Sequence, residues 1–301
     1  MIKRVDVPVA GGSLATFRLG SGAEPVLAVH GITATSRAWL GVARALDGRA
    51  TLLAVDLRGR GASSGLPPPY GMEAYSRDLL AVLDAYGLER AVLVGHSLGA
   101  YAVARVAADH PGRVRAVVLV DGGLTSPAIE DVDPDVFVPA LLGPALARLE
   151  LTFPTREAYH DWWRAHPAFT GADVADEDLV AYADHDLGGA APDLHSTVVK
   201  DAVRSDAQEI FETGKPAQRL VVPAELIRAP RGLQNDPNPL IAVDLAQAWA
   251  AAAPEQRNVL EVPDVNHYTV LMGTAGARAV AQRIVHALQS PAADPPLRST
   301  R

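Results

Sequence analysis

Short runs of aliphatic residues recur along the first 120 positions, separated by stretches with a different rhythm. Residues 26–29 (VLAV), 51–55 (TLLAV), 91–94 (AVLV) and 114–120 (VRAVVLV) are nearly continuous in β-branched and aliphatic side chains. That is the pattern of strands buried on both faces of a parallel sheet. Between them, residues 36–46, 72–86 and 98–109 carry apolar side chains three and four apart, as at Leu79, Val82, Leu83 and Tyr86, which predicts amphipathic helices. Each strand-helix-strand unit is long enough to cross over between parallel strands. Ahead of them, residues 5–9 and 14–19 flank Ala10-Gly11-Gly12-Ser13, a hairpin signal that starts the sheet with an antiparallel pair.

The rhythm stops after Asp121. Residues 124–219 bear Pro, Trp and His and contain helical stretches near 139–149 and 157–165, but no strand of the preceding type, so they predict a helical insertion. Sheet-like runs resume at 224–227 and 259–262, with helices at 240–253 and 276–288. The expected organisation is one α/β core from residues 1–123 and 220–289, an inserted helical unit at 124–219, and a Pro-rich polar tail at 290–301 expected to be disordered.

Composition narrows the chemistry. The 301 residues are 49% hydrophobic and 21% charged, ordinary for a globular chain able to bury a sizeable core. There is no cysteine, which removes disulfides, thiolate metal sites and a cysteine nucleophile. With 27 Lys and Arg against 35 Asp and Glu, the net charge of −8 disfavours nucleic acid and anionic membranes as partners. No apolar run resembles a signal peptide or reaches the roughly 20 residues of a membrane span, so a cytoplasmic monomer or homodimer acting on a small molecule is expected.

The strand at 91–94 runs directly into Gly95-His96-Ser97-Leu98-Gly99 and then into a helix. This is G-x-S-x-G in strand–turn–helix context, where a serine on a strained turn leaves no room for side chains two positions either side. The helix start adds free N–H groups and a positive dipole end beside the hydroxyl. Together with these residues, His30-Gly31 after the first parallel strand and Asp56-Leu57-Arg58-Gly59-Arg60-Gly61-Ala62-Ser63 after the second resemble the α/β-hydrolase fold family, in its serine-nucleophile, esterase- or lactonase-like branch. The resemblance implies a mostly parallel eight-stranded sheet flanked by helices, with 124–219 as a lid, and it implies that the Ile32 and Leu98 N–H groups form an oxyanion hole. The charged residues of the 56–63 segment are expected to be structural, held by local hydrogen bonds.

Ser97 is the expected nucleophile, and a serine hydroxyl needs a neutral imidazole as its base. Of nine histidines, His267 alone follows the last strand and precedes the final helix, where the resembled family carries its base. His96 is expected to point away from Ser97, and His30 to shape the oxyanion loop. The acid that orients His267 has two candidates. Asp236 follows the strand after the insertion, but later than is usual in the family. Asp121 closes the 114–120 strand, 24 positions after Ser97, an arrangement used by a minority of the family, and is slightly preferred because a strand end holds a side chain better than a long loop.

The insertion holds Phe137, Phe153, Tyr159, Trp162, Trp163 and Phe169, a concentration of rings in a chain only 5% aromatic. His30, Gly31, Trp39, Trp162 and Trp163 are the expected substrate-lining residues. The histidines His160, His166, His185 and His195 stand near carboxylates without the spacing of a metal motif, so neither metal nor cofactor is expected. The expected reaction is hydrolysis of an ester, lactone or related carbonyl compound of a small, largely apolar substrate through an acyl-enzyme. A lyase, cyclase or C–C hydrolase would use the same Ser/His pair, and a non-catalytic ligand receptor on the same scaffold is a third reading.

Overall fold

A computed structural model describes residues 2–125, 142–143, 145–210 and 215–290. The expected hairpin is present as β1 (Lys3–Val9) and β2 (Gly12–Leu19), joined by the tight turn at Ala10-Gly11. β3 (Pro25–Val29), β4 (Thr51–Val55), β5 (Ala91–His96) and β6 (Val114–Val120) are the four aliphatic runs, buried almost throughout. β7 (Leu187–Gly188) and β8 (His195–Ser196) form a separate two-residue antiparallel pair. β9 (Ala224–Arg228) and β10 (Arg257–Glu261) complete an eight-stranded sheet in the order β1-β2-β4-β3-β5-β6-β9-β10. β2 pairs antiparallel with β1 and β4, and every other neighbouring pair is parallel.

The order explains the position of the site. The chain steps from β3 to β4 on one side and then returns to β5 on the other, so the carboxyl ends of β3 and β5 flank a crevice where the sheet changes direction. Helices α1 (Leu40–Ala45), α2 (Met72–Ala85) and α3 (Leu98–Asp109) make the first crossovers, α1 being preceded by a 3₁₀ turn at Ser36–Trp39. In α2 the buried residues Met72, Tyr75, Leu79, Val82 and Leu83 fall on one face, as the three- and four-residue spacing requires.

In the insertion between β6 and β9 no described residue joins the main sheet. Its described part holds α4 (Arg156–Arg164), α5 (Asp176–Asp186), α6 (Lys200–Ile210) and the short α7 (Lys215–Gln218). Thr155 caps α4, its hydroxyl accepting from the Ala158 N–H at 3.1 Å. Beyond β9 come α8 (Val243–Ala251), α9 (Thr269–Met272) and α10 (Thr274–Gln289). Phe137 and the tail from residue 291 lie outside the described residues, as does most of 139–144. No helix of the described residues is long and apolar enough to cross a membrane.

The segment after β4 departs from expectation. The expected local bonds are present, from the Ala62 N–H to Asp56 and from Arg60 to the Arg58 carbonyl, but its charges are also held by distant, buried partners. Asp56 accepts from the Ser36 and Ala62 N–H groups, each at 2.8 Å, and meets His185 Nε2 of α5 at 2.7 Å. Arg58 forms a two-pronged pair with Asp78 at 2.7 and 2.8 Å. Arg60, fully buried, pairs with Asp206 of α6, and Tyr75 bridges the two. Arg148 is equally buried; it pairs with Asp186, donates to Tyr159 Oη at 2.6 Å and to the Thr33 carbonyl at 3.0 Å, and stacks 5.1 Å over Trp163. The inserted helices are therefore fastened to the core by charge as well as by apolar packing.

Candidate active site

Ser97 sits between β5 and α3 at φ 53° and ψ −119°, a conformation that costs a non-glycine residue about 1–3 kcal/mol. Its neighbours leave no alternative. A Cβ at Gly95 would lie 2.1 Å from the Gly99 carbonyl oxygen, and one at Gly99 would lie 2.1 Å from that of Val29. The Ser97 N–H donates to the Val120 carbonyl at 2.9 Å, which ties the turn to the end of β6. The residue is partly exposed, and its hydroxyl makes no hydrogen bond among the described residues.

Immediately after β6, Asp121 turns its fully buried carboxylate toward His267. Oδ2 accepts from His267 Nδ1 at 2.7 Å, and Oδ1 accepts from the Ala229 N–H at 3.0 Å. The position is built by the backbone: Asp121 has φ 43°, and its N–H donates to the Ile227 carbonyl at 2.7 Å. A Cβ at Gly122 would fall 2.3 Å from the Ser97 carbonyl oxygen, so the turn carrying Asp121 rests directly on the turn carrying Ser97. Of the two candidate carboxylates, Asp121 is the one beside His267. Asp236 instead accepts from the N–H groups of Asn238 at 3.0 Å and Gln234 at 3.4 Å, closing its own loop. With Nδ1 engaged by Asp121, His267 Nε2 is the ring nitrogen left without a partner among the described residues.

The loop after β3 is fixed from behind. The Leu57 N–H donates to His30 Nε2 at 3.0 Å, so the ring proton is on Nδ1 and is donated to the Gly31 carbonyl at 2.7 Å. Ala34 N–H reaches the same carbonyl at 3.1 Å. Because a trans peptide directs C=O and N–H to opposite sides, the Ile32 N–H faces away from these partners. Neither it nor the Leu98 N–H, first in α3, meets an acceptor among the described residues. Arg60 Nε holds the Ile32 carbonyl at 3.0 Å, and Arg148 the next one. Burial lowers His30 to about 4, so the ring keeps this neutral form at physiological pH.

Several expected pocket residues stand elsewhere. Trp39 is 0% and Trp163 1% exposed, so both pack within the core and present no face to a ligand. Trp163 is surrounded by Trp162, His166, Phe169, Tyr182 and Tyr268 at ring distances of 5.0–6.4 Å, and anchors the inserted helices to the loop of His267. His30 supports the loop after β3 from its buried side instead of lining a cavity. Gly31 does border Ser97, its would-be Cβ lying 3.6 Å from Oγ, and Trp162 keeps partial exposure. Asn266 was not anticipated: its Oδ1 accepts from the Tyr268 and Thr269 N–H groups, and its Nδ2 donates to the Ala168 carbonyl at 2.8 Å, joining the His267 loop to the insertion. An Asx turn before a short helix is its only sequence signal. The remaining histidines are dispersed: His160 lies between Glu157 and Asp184, His185 on Asp56, and His195 on the Asp193 carbonyl.

A family model described as the alpha/beta hydrolase fold matches residues 24–160. The chain is 37% identical over 133 residues to a haloalkane dehalogenase of Agrobacterium fabrum, covering 44% of this chain and 43% of that one. It is 39% identical over 110 residues to an uncharacterised protein of Mycobacterium tuberculosis, 36% of this chain and 31% of that one. The chain thus spans less than half the length of these relatives. Across 96% of its length it superposes on the whole of E-2-(acetamidomethylene)succinate hydrolase, with a TM-score of 0.78 at 20% identity. Strand order, turn geometry and these likenesses agree that the chain has the alpha/beta hydrolase fold.

Proposed function

We propose that the protein is a serine hydrolase that cleaves an ester, lactone or related carbonyl compound of a small, largely apolar substrate through an acyl-enzyme. One observation carries this reading: Asp121 accepts a hydrogen bond from His267 Nδ1–H at 2.7 Å, which leaves Nε2 as a free acceptor in the same site as the strained Ser97. His267 takes the hydroxyl proton as Ser97 Oγ bonds to the carbonyl carbon, and the imidazolium is stabilised by the Asp121 carboxylate. The negative oxygen of the tetrahedral intermediate is met by the Ile32 and Leu98 N–H groups, which need no reorientation because their peptides are already held. The proton then passes to the leaving group, and water activated by His267 releases the acid. A carboxylate at position 97 would suit the halide displacement named for the Agrobacterium relative, and serine there supports acyl transfer instead.

The test is pre-steady-state hydrolysis of p-nitrophenyl acetate. A burst of p-nitrophenolate close to one equivalent, absent in Ser97→Ala, is expected. Turnover retained by a folded Ser97→Ala variant overturns the nucleophile assignment.

A further inference from the structure

The residue before the nucleophile makes an unexpected contact. His96, the last residue of β5, donates from Nε2 to the main-chain carbonyl of His267 at 2.9 Å, across 171 positions of sequence. A carbonyl only accepts, so the proton is on Nε2 and Nδ1 carries a lone pair. That Nδ1 is buried and has no hydrogen-bond partner; its close neighbour is Gly31, whose would-be Cβ lies 3.4 Å away. A buried acceptor left unpaired is unfavourable, and an aliphatic side chain would fill the space without one. The imidazole is thus explained by its Nε2–H alone. Burial, then the neighbouring His267 and His30, hold His96 far below the ordinary histidine range, so it stays a neutral donor.

We infer that His96 is a positioning residue that sets the spacing between nucleophile and base, bolting the main chain of His267 to the strand end that carries Ser97. The inference rests on the Ser97/His267 reading. Asp121 holds the His267 ring, but a ring attached through two rotatable bonds swings unless its backbone is also fixed. Among the described residues His96 is the single hydrogen-bond partner of the His267 carbonyl, and the two rings lie 4.7 Å apart. One bond therefore connects β5 to the β10–α9 loop at the level of the reacting atoms, and a drift of the base by about 1 Å costs roughly 10²-fold in rate.

Gln and Met have nearly the same length and volume, and only Gln can donate to the His267 carbonyl, so His96→Gln and His96→Met isolate the bond from the packing. On p-nitrophenyl acetate, His96→Gln is expected to stay within about threefold of the parent kcat, and His96→Met to fall about 10–100-fold in kcat with KM within about threefold. A second readout needs no turnover: the strongly deshielded proton resonance of His267 Nδ1–H on Asp121, identified by its loss in His267→Ala, is expected to persist in the Gln variant and to broaden or vanish in the Met variant. Should Met prove too bulky to fold, His96→Ala replaces it against the same Gln reference. If the donor and non-donor variants behave alike in both readouts, the positioning role is overturned. If the parent shows no turnover of the ester, the hydrolase reading fails, and the resonance alone decides the inference about His96.

Discussion

Replacing Asp121 by Asn tests the acid with almost no change of shape. Its two carboxylate oxygens have fixed partners, the Ala229 N–H at 3.0 Å and His267 Nδ1–H at 2.7 Å. Asn has one oxygen and one NH₂, so it satisfies only one of them. Turning the NH₂ toward Ala229 opposes two donors in a buried site, which costs about 1–3 kcal/mol. The oxygen is therefore expected to stay on Ala229, and the NH₂ faces the ring. His267 must then shed its Nδ1 proton and carry it on Nε2, the atom that has to accept from Ser97. The equivalent replacement in a serine protease lowers kcat about 10⁴-fold by this tautomer change, which corresponds to about 5.4 kcal/mol of barrier. A fall of roughly that size is expected here for p-nitrophenyl acetate, with Tm close to the parent. Asp236→Asn keeps an acceptor for the Asn238 N–H and is expected to stay within about threefold in kcat, as for surface substitutions that cost under about 0.5 kcal/mol. Normal turnover by a folded Asp121→Asn variant, or a collapse in Asp236→Asn, refutes the reasoning.

Removing the charge of Arg148 with Met leaves the buried Asp186 without its cation, held by the Tyr159 and Ser196 hydroxyls, and urea unfolding is expected to show a loss of about 3–5 kcal/mol; a stability unchanged from the parent contradicts the pairing. Gly122→Ala drives a Cβ to 2.3 Å from the Ser97 carbonyl oxygen and is expected to abolish turnover, whereas Gly112→Ala, with nothing within 4 Å, leaves kcat and Tm unaltered. Acid lowers stability through a buried histidine. Burial takes His30 from 6.5 to about 4, so the unfolded chain binds more protons between these values, and stability is full above 6.5 and lost as pH falls toward 4. For His30 alone the loss is at most about 3 kcal/mol. Asp56 adds its own loss at lower pH: burial raises its pKa, but the bond and charge of His185, together with His30 and the Ser36 N–H, outweigh that and hold it at about 2. A flat Tm between pH 7 and 4 contradicts the His30 assignment.

The parallel strands were legible because burial on both faces writes itself as unbroken aliphatic runs, and Ser97 because the turn demands glycines at fixed offsets. Residue types around Asp121 and Asp236 looked alike, since both stand in turns. What separates them is the spatial register of β6, β9 and the His267 loop, which local sequence does not encode. Arg60 and Arg148 were misjudged or missed for the same reason, their partners lying 146 and 38 positions away. Trp39 and Trp163 illustrate a different limit: a ring beside a catalytic motif has the same sequence signature whether it faces a ligand or the core. His96 gave no signal at all, because the bond it makes is to a carbonyl, a group every residue carries.

The central claim is that Ser97 is a nucleophile activated by His267, and covalent labelling tests it most directly. After reaction with diisopropyl fluorophosphate, peptide mapping by mass spectrometry is expected to find one adduct, on Ser97, formed in near-stoichiometric yield and lost when His267 is replaced by Ala. Folded protein that stays unmodified, or carries its adduct on another residue, contradicts the account.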